Sequence, residues 1–160
     1  MKLNELKDCI LVFDVDGVLV RYDFRDEDSG LMLKDKHTWI KANVKKDVYA
    51  SAVGTELFDE LIKNHKYDVH ILSVVFSSFE QKSKVKYLMN RFPNLKEENL
   101  IFVGDKNIKL DMMKILREKL DDEGLYDIPL VLIEDTVPTM LMIESLHDER
   151  IRCYLISDFI

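Results

Sequence analysis

Four short runs dominated by branched apolar residues, each broken off by a polar residue or a glycine, constrain this chain more than any other feature. They are Cys9–Phe13 (CILVF), Asp68–Ser73 (DVHILS), Leu100–Val103 (LIFV) and Pro129–Ile133 (PLVLI), with Cys153–Ile156 (CYLI) as a candidate fifth. Runs this short and this apolar fit strands buried on both faces. Helical patterns lie between them. Thr55–Asn64 places Leu57, Phe58, Leu61 and Ile62 on one stripe behind Thr55 as a cap, Phe79–Phe92 does the same with Val85, Leu88 and Met89, and Leu110–Leu120 with Leu110, Met113 and Leu116. Strands alternating with helices imply right-handed crossovers, so the expected fold is α/β, a doubly wound, Rossmann-like, mainly parallel sheet of about five strands.

At 160 residues the chain has the length of one domain, and 1–160 is read as a single unit. Apolar types at 47% and charged types at 33% are ordinary for a globular core and exclude a disordered or disulfide-scaffold chain. The net charge of −7 argues against a broad nucleic-acid surface. Cys9 and Cys153 are expected as buried free thiols. No apolar run approaches the roughly 20 residues that span a bilayer, and Met1 to Asp8 lacks a signal-peptide core, so a cytoplasmic protein without membrane contact is expected.

Residues 21 to about 54 interrupt the rhythm with an acidic stretch, a basic one and the single tryptophan, Trp39. This is read as an insertion after the first strand that forms a small cap, with Tyr22, Phe24 and Trp39 as candidates for substrate contact. His37, His65, His70 and His147 have no zinc-type pairing. The run Asp26–Asp28 lacks the spacing of a calcium loop and reads as a solvated turn.

In an open α/β sheet, ligands bind beyond the carboxyl ends of the strands. The residues at those ends are Asp14-Val15-Asp16-Gly17, Ser73, Gly104-Asp105-Lys106 with Lys109 behind it, and Glu134-Asp135. Carboxylates, a hydroxyl and ammonium groups on one edge suit phosphoryl transfer with Mg2+, which takes hard oxygen ligands and usually one or two carboxylates. A carboxylate can also attack phosphorus and divide hydrolysis into two easier steps. If the backbone stays extended, Asp16 falls on the same side as Asp14 and can serve as general acid and base. Ser73 can bind a phosphoryl oxygen, and Gly17 allows a sharp turn. Each of Lys84, Lys106 and Lys109, taken alone, reads as a solvated surface lysine, yet one of them is needed as the charge partner.

These residues resemble the haloacid dehalogenase-like phosphatases. LVFDVDGVLV at 11–20 is similar to the first motif of that family, VHILS at 69–73 to the second, and VLIED at 131–135, followed by TVPT, to the fourth. The resemblance covers the sheet core and omits the insertion. It implies that Asp14 is the nucleophile, Asp16 the acid/base and Ser73 the phosphate-binding hydroxyl. It also implies that Asp14, the Asp16 carbonyl and Asp135 hold Mg2+, with Glu134 reaching it through water or orienting Asp135. An aspartate is commoner where Glu134 stands. For the third-motif lysine, Lys109 is favoured, then Lys106, with Lys84 as the other alternative. Residues 71–93 are also similar to the 5'(3')-deoxyribonucleotidase branch in the spacing of Lys84, Tyr87 and Phe92.

The expected activity is therefore Mg2+-dependent hydrolysis of a small phosphate monoester through an aspartyl-phosphate. A short cap leaves the crevice open, and a nucleotide monophosphate is the first candidate substrate. The alternatives are a phosphotransferase or phosphomutase of the same fold, a non-catalytic phosphate-binding relative, or a receiver-like signalling module. The receiver is disfavoured because its phosphoacceptor ends a central strand after an acidic pair on the first, and a non-catalytic role leaves Asp16 unexplained. Every version of the mechanism requires Asp14 and Asp135 to open onto the same edge.

Overall fold

The computed structural model describes residues 2–21, 47–50 and 52–160. Five strands form one all-parallel sheet: β1 (Ile10–Phe13), β2 (His70–Val74), β3 (Leu100–Val103), β4 (Leu130–Glu134) and β5 (Ile151–Leu155), in the order β3-β2-β1-β4-β5. Among the described residues the helices are α1 (Asp59–Lys63), α2 (Ser78–Arg91), α3 (Ile108–Asp122) and α4 (Val137–Glu144). The fold is thus the doubly wound α/β architecture that the alternation of runs predicts.

Strand alternation divides the core in two. Leu11, Phe13, Ile71, Val131 and Ile133 face one way and pack with Phe58 and Ile62 near α1 and Leu88 and Phe92 at α2. Ile10, Val12, Leu72, Leu130 and Leu132 face the other way, onto Met113, Leu116 and Leu120 of α3 and Ile143 of α4. Because both faces are covered, the central strands are apolar at nearly every position, with His70 and Ser73 of β2 and Glu134 at the end of β4 as buried polar exceptions. All four residues of β1 are buried.

Local chemistry sets the helix ends. Ser77 caps α2 by accepting a hydrogen bond from the Glu80 N–H at 3.1 Å, and Glu80 Oε2 accepts from the Phe76 N–H at 2.8 Å. At the end of α3, Gly124 takes φ +84°. Its N–H reaches the Asp121 carbonyl at 3.1 Å and the Leu125 N–H reaches Leu120 at 2.9 Å, a paired closure that stops the helix.

One expected cap is elsewhere. Thr55 does not begin α1, which starts at Asp59 behind Phe58. Its hydroxyl instead donates to the Val18 carbonyl at 2.7 Å, tying the loop after β1 to the segment that returns from the insertion. The same junction is held by a bridge between Val20 and Gly54 and by the Arg21 N–H on the Val53 carbonyl at 3.0 Å. Arg91 of α2 braces it by donating to the Leu19 carbonyl at 2.6 Å while pairing with Asp59 at 2.5 Å. Tyr22, Phe24, Asp26–Asp28, His37 and Trp39 lie outside the described residues. Cys9 and Cys153 are free and buried, and burial pushes the Cys153 thiol up to about 12. Among the described residues no helix is long and apolar enough to cross a membrane.

Candidate active site

Because β1 lies between β2 and β4, the carboxyl ends of these three strands set Asp14 between Ser73 and Glu134. The Asp14 N–H still pairs with the Ile133 carbonyl at 3.0 Å, so Asp14 is the last residue carried by the ladder. Immediately afterwards the chain turns. The Val15 carbonyl accepts from the N–H groups of Val18, Leu19 and Val20, and Gly17 takes φ +81°. A Cβ on Gly17 would lie 2.2 Å from Asp135 Oδ2. That close approach brings the first acidic cluster against the second.

Asp14, Glu134 and Asp135 each offer an oxygen, and the three lie within 4.8 Å of one another. Asp14 and Asp135 therefore open onto the same edge. The donor set is all hard oxygen and suits Mg2+ better than a softer cation. Glu134 is fully buried and already engaged at both oxygens. Oε2 accepts from Lys109 Nζ at 2.8 Å and Oε1 from the Asp135 N–H at 3.0 Å, so Glu134 fixes both its neighbour and the lysine.

Lys109 also stands 3.3 Å from Asp14 Oδ2. Its own burial would lower its pKa, but Asp14 and Glu134 outweigh that and hold it above the usual lysine value. Asp14 is pushed up to about 7, chiefly by burial, with the charges of Glu134 and Asp16 acting the same way and Lys109 opposing them. Asp14 Oδ1 accepts from the Val15 N–H at 2.8 Å, which fixes the orientation of the carboxyl group.

Asp16 parts company with Asp14. The backbone does not remain extended beyond Asp14, so the spacing of two no longer sets a common side, and the Asp16 carboxylate is not in the three-carboxylate group. Lys84 of α2 holds it instead, with Nζ 2.7 Å from Oδ2. Lys84 also donates to Ser73 Oγ at 3.0 Å and to the Val74 carbonyl at 2.7 Å, and pairs with Glu80 at 3.3 Å. Ser73 is fully buried and accepts from this lysine; it caps no helix.

The site thus holds two buried lysines, one from each face of the sheet: Lys84 beside Asp16 and Ser73, and Lys109 beside Asp14 and Glu134. Reading each as a solvated surface lysine is wrong for both, since their side chains are 0% and 1% exposed. Lys106 is exposed, with no side-chain ion pair among the described residues, so it stays outside the cluster. A sequence signal for the buried pair existed. Lys109 heads the stripe Met113, Leu116 and Leu120 on α3, and Lys84 precedes Leu88 and Phe92 by four and eight on α2, so each interrupts the core-facing row of its helix.

Tyr49 had no such signal. It comes from the return of the insertion, is 3% exposed, and its hydroxyl donates to Asp16 Oδ1 at 2.6 Å. A pairing across 33 residues, set by where a loop returns, is not written in local spacing. No family model matches the chain, and no curated protein matches its sequence.

Proposed function

We propose that the chain is a Mg2+-dependent phosphatase that hydrolyses a small phosphate monoester, with a nucleotide monophosphate as first candidate, through an aspartyl-phosphate on Asp14. One observation carries this reading. A buried carboxylate at the end of the central strand has two further carboxylates within 4.8 Å, with a hydroxyl on the adjoining strand, a fourth carboxylate on the following loop and a helix-borne ammonium that joins those two.

Asp14, Asp135 and, through its hold on Asp135, Glu134 are the residues that would hold the ion. Bound there, Mg2+ supplies Lewis-acid polarisation and charge neutralisation at the phosphoryl oxygens. The chain supplies the rest. An Asp14 oxygen attacks phosphorus and the ester P–O bond breaks, while Asp16 gives its proton to the leaving oxygen. Asp16 then takes a proton from the water that attacks the phosphoryl group, and the bond to Asp14 breaks to release inorganic phosphate. Ser73 presents its hydroxyl proton to an equatorial oxygen, where charge spreads, and the Lys84 ammonium beside it adds positive charge.

Asp14→Asn tests the reading. It should abolish Mg2+-dependent phosphate release from p-nitrophenyl phosphate with the circular dichroism spectrum and melting curve retained. Unchanged turnover would remove Asp14 as nucleophile and the proposal with it.

A further inference from the structure

A group that delivers a proton must be aimed, and Asp16 sits on a loop rather than on the sheet. Each of its two oxygens accepts a hydrogen bond from a different group: Lys84 Nζ donates to Oδ2 at 2.7 Å and the Tyr49 hydroxyl to Oδ1 at 2.6 Å. A carboxylate with one donor on each oxygen cannot rotate about Cβ–Cγ without losing one of them. Lys84 is fixed from the sheet side through Ser73 and Val74. Tyr49 is held against the helix that carries Lys84. Its ring lies 6.1 Å from that of Tyr87 and 5.6 Å from Lys84 Nζ, on a segment whose return is bridged to Val20 through Gly54.

We propose that Tyr49 is a positioning residue that, together with Lys84, fixes the Asp16 carboxyl group for proton transfer to the leaving oxygen. The segment returning from the insertion thereby sets the aim of a group on the loop after β1. The inference rests on the reading of Asp16 given above and assigns the insertion a part in the chemistry itself.

The test uses leaving groups. When the ester P–O bond breaks, p-nitrophenolate departs without a proton, whereas an alkoxide must receive one. Tyr49→Phe removes the hydroxyl and keeps the ring, so it should lower kcat/KM for glycerol 2-phosphate about tenfold more than for p-nitrophenyl phosphate. Asp16→Asn should show the same discrimination more strongly, and the double variant should discriminate no more than Asp16→Asn alone. The ratio between two substrates on one sample does not depend on the fraction of protein folded, so modest destabilisation cannot mimic the result. Equal losses on both substrates, or no loss on either, would make Tyr49 a packing residue and overturn the inference while leaving the phosphatase reading intact. Wild-type protein inactive on both substrates with Mg2+ would overturn the reading, and the inference would fall with it.

Discussion

Replacing Lys109 by Met isolates the electrostatics of the acidic cluster, because the side chain keeps its approximate length while the ammonium is removed. That ammonium stands 2.8 Å from Glu134 and 3.3 Å from Asp14, and the Lys109 and Glu134 side chains are each 1% exposed. Removing one partner of a buried pair leaves an uncompensated charge and costs about 3–5 kcal/mol. For a chain of this length that lowers the melting temperature by roughly 10 °C. The loss arises from stranded carboxylates rather than from lost packing, so two compensations are expected. Adding Glu134→Gln to Lys109→Met should return most of the stability, and lowering the pH should narrow the gap between Lys109→Met and wild type. The assay is urea denaturation in EDTA near neutral pH, followed by circular dichroism. A loss for Lys109→Met below about 1 kcal/mol, the range of an exposed pair, would refute the reasoning. A double variant less stable than the single would refute it equally.

Gly17→Ala should cost about 1–2 kcal/mol from the left-handed backbone alone, and more because the new Cβ would lie 2.2 Å from Asp135 Oδ2. Titration calorimetry should then show weakened Mg2+ binding, and wild-type affinity in Gly17→Ala would mean that Asp135 is not a ligand. In metal-free protein Asp14 holds its proton when folded up to about 7 but releases it near 3.8 when unfolded. Its contribution to stability therefore declines as pH rises between those values, with a ceiling of roughly 4 kcal/mol. Stability measured across this window should fall with pH relative to Asp14→Asn; a constant difference between the two proteins would contradict the burial of Asp14. Finally, Cys153, with its thiol pushed up to about 12, should resist iodoacetamide near pH 8 until urea unfolds the chain. Rapid labelling of the native protein would contradict its burial.

The alternation of apolar runs with amphipathic helices was enough to specify a parallel, two-faced sheet, because burial on both faces makes a central strand a nearly continuous apolar run. It also put Asp14, Ser73 and Glu134 in reach of one another, since each is the residue at which a buried run ends or breaks. The path of the chain beyond those ends was not legible. Asp16 follows Asp14 by two residues, but the turn at Gly17 sends its carboxylate to Lys84 and Tyr49. Thr55 has the sequence of a cap and is used instead to hold the loop after β1.

What the sequence determined by itself is therefore the periodic part, the strands, helix faces and strand-end residues, because periodicity of two and of 3.6 records burial directly. Only the tertiary structure decided which charges meet. Whether a lysine is solvated or buried depends on what its helix face packs against, so Lys84 and Lys109 became members of the site while Lys106, at the end of β3, stayed exposed. Tyr49 reached Asp16 because the stems of the insertion are bridged at Val20 and Gly54, a contact between distant residues that no local pattern encodes.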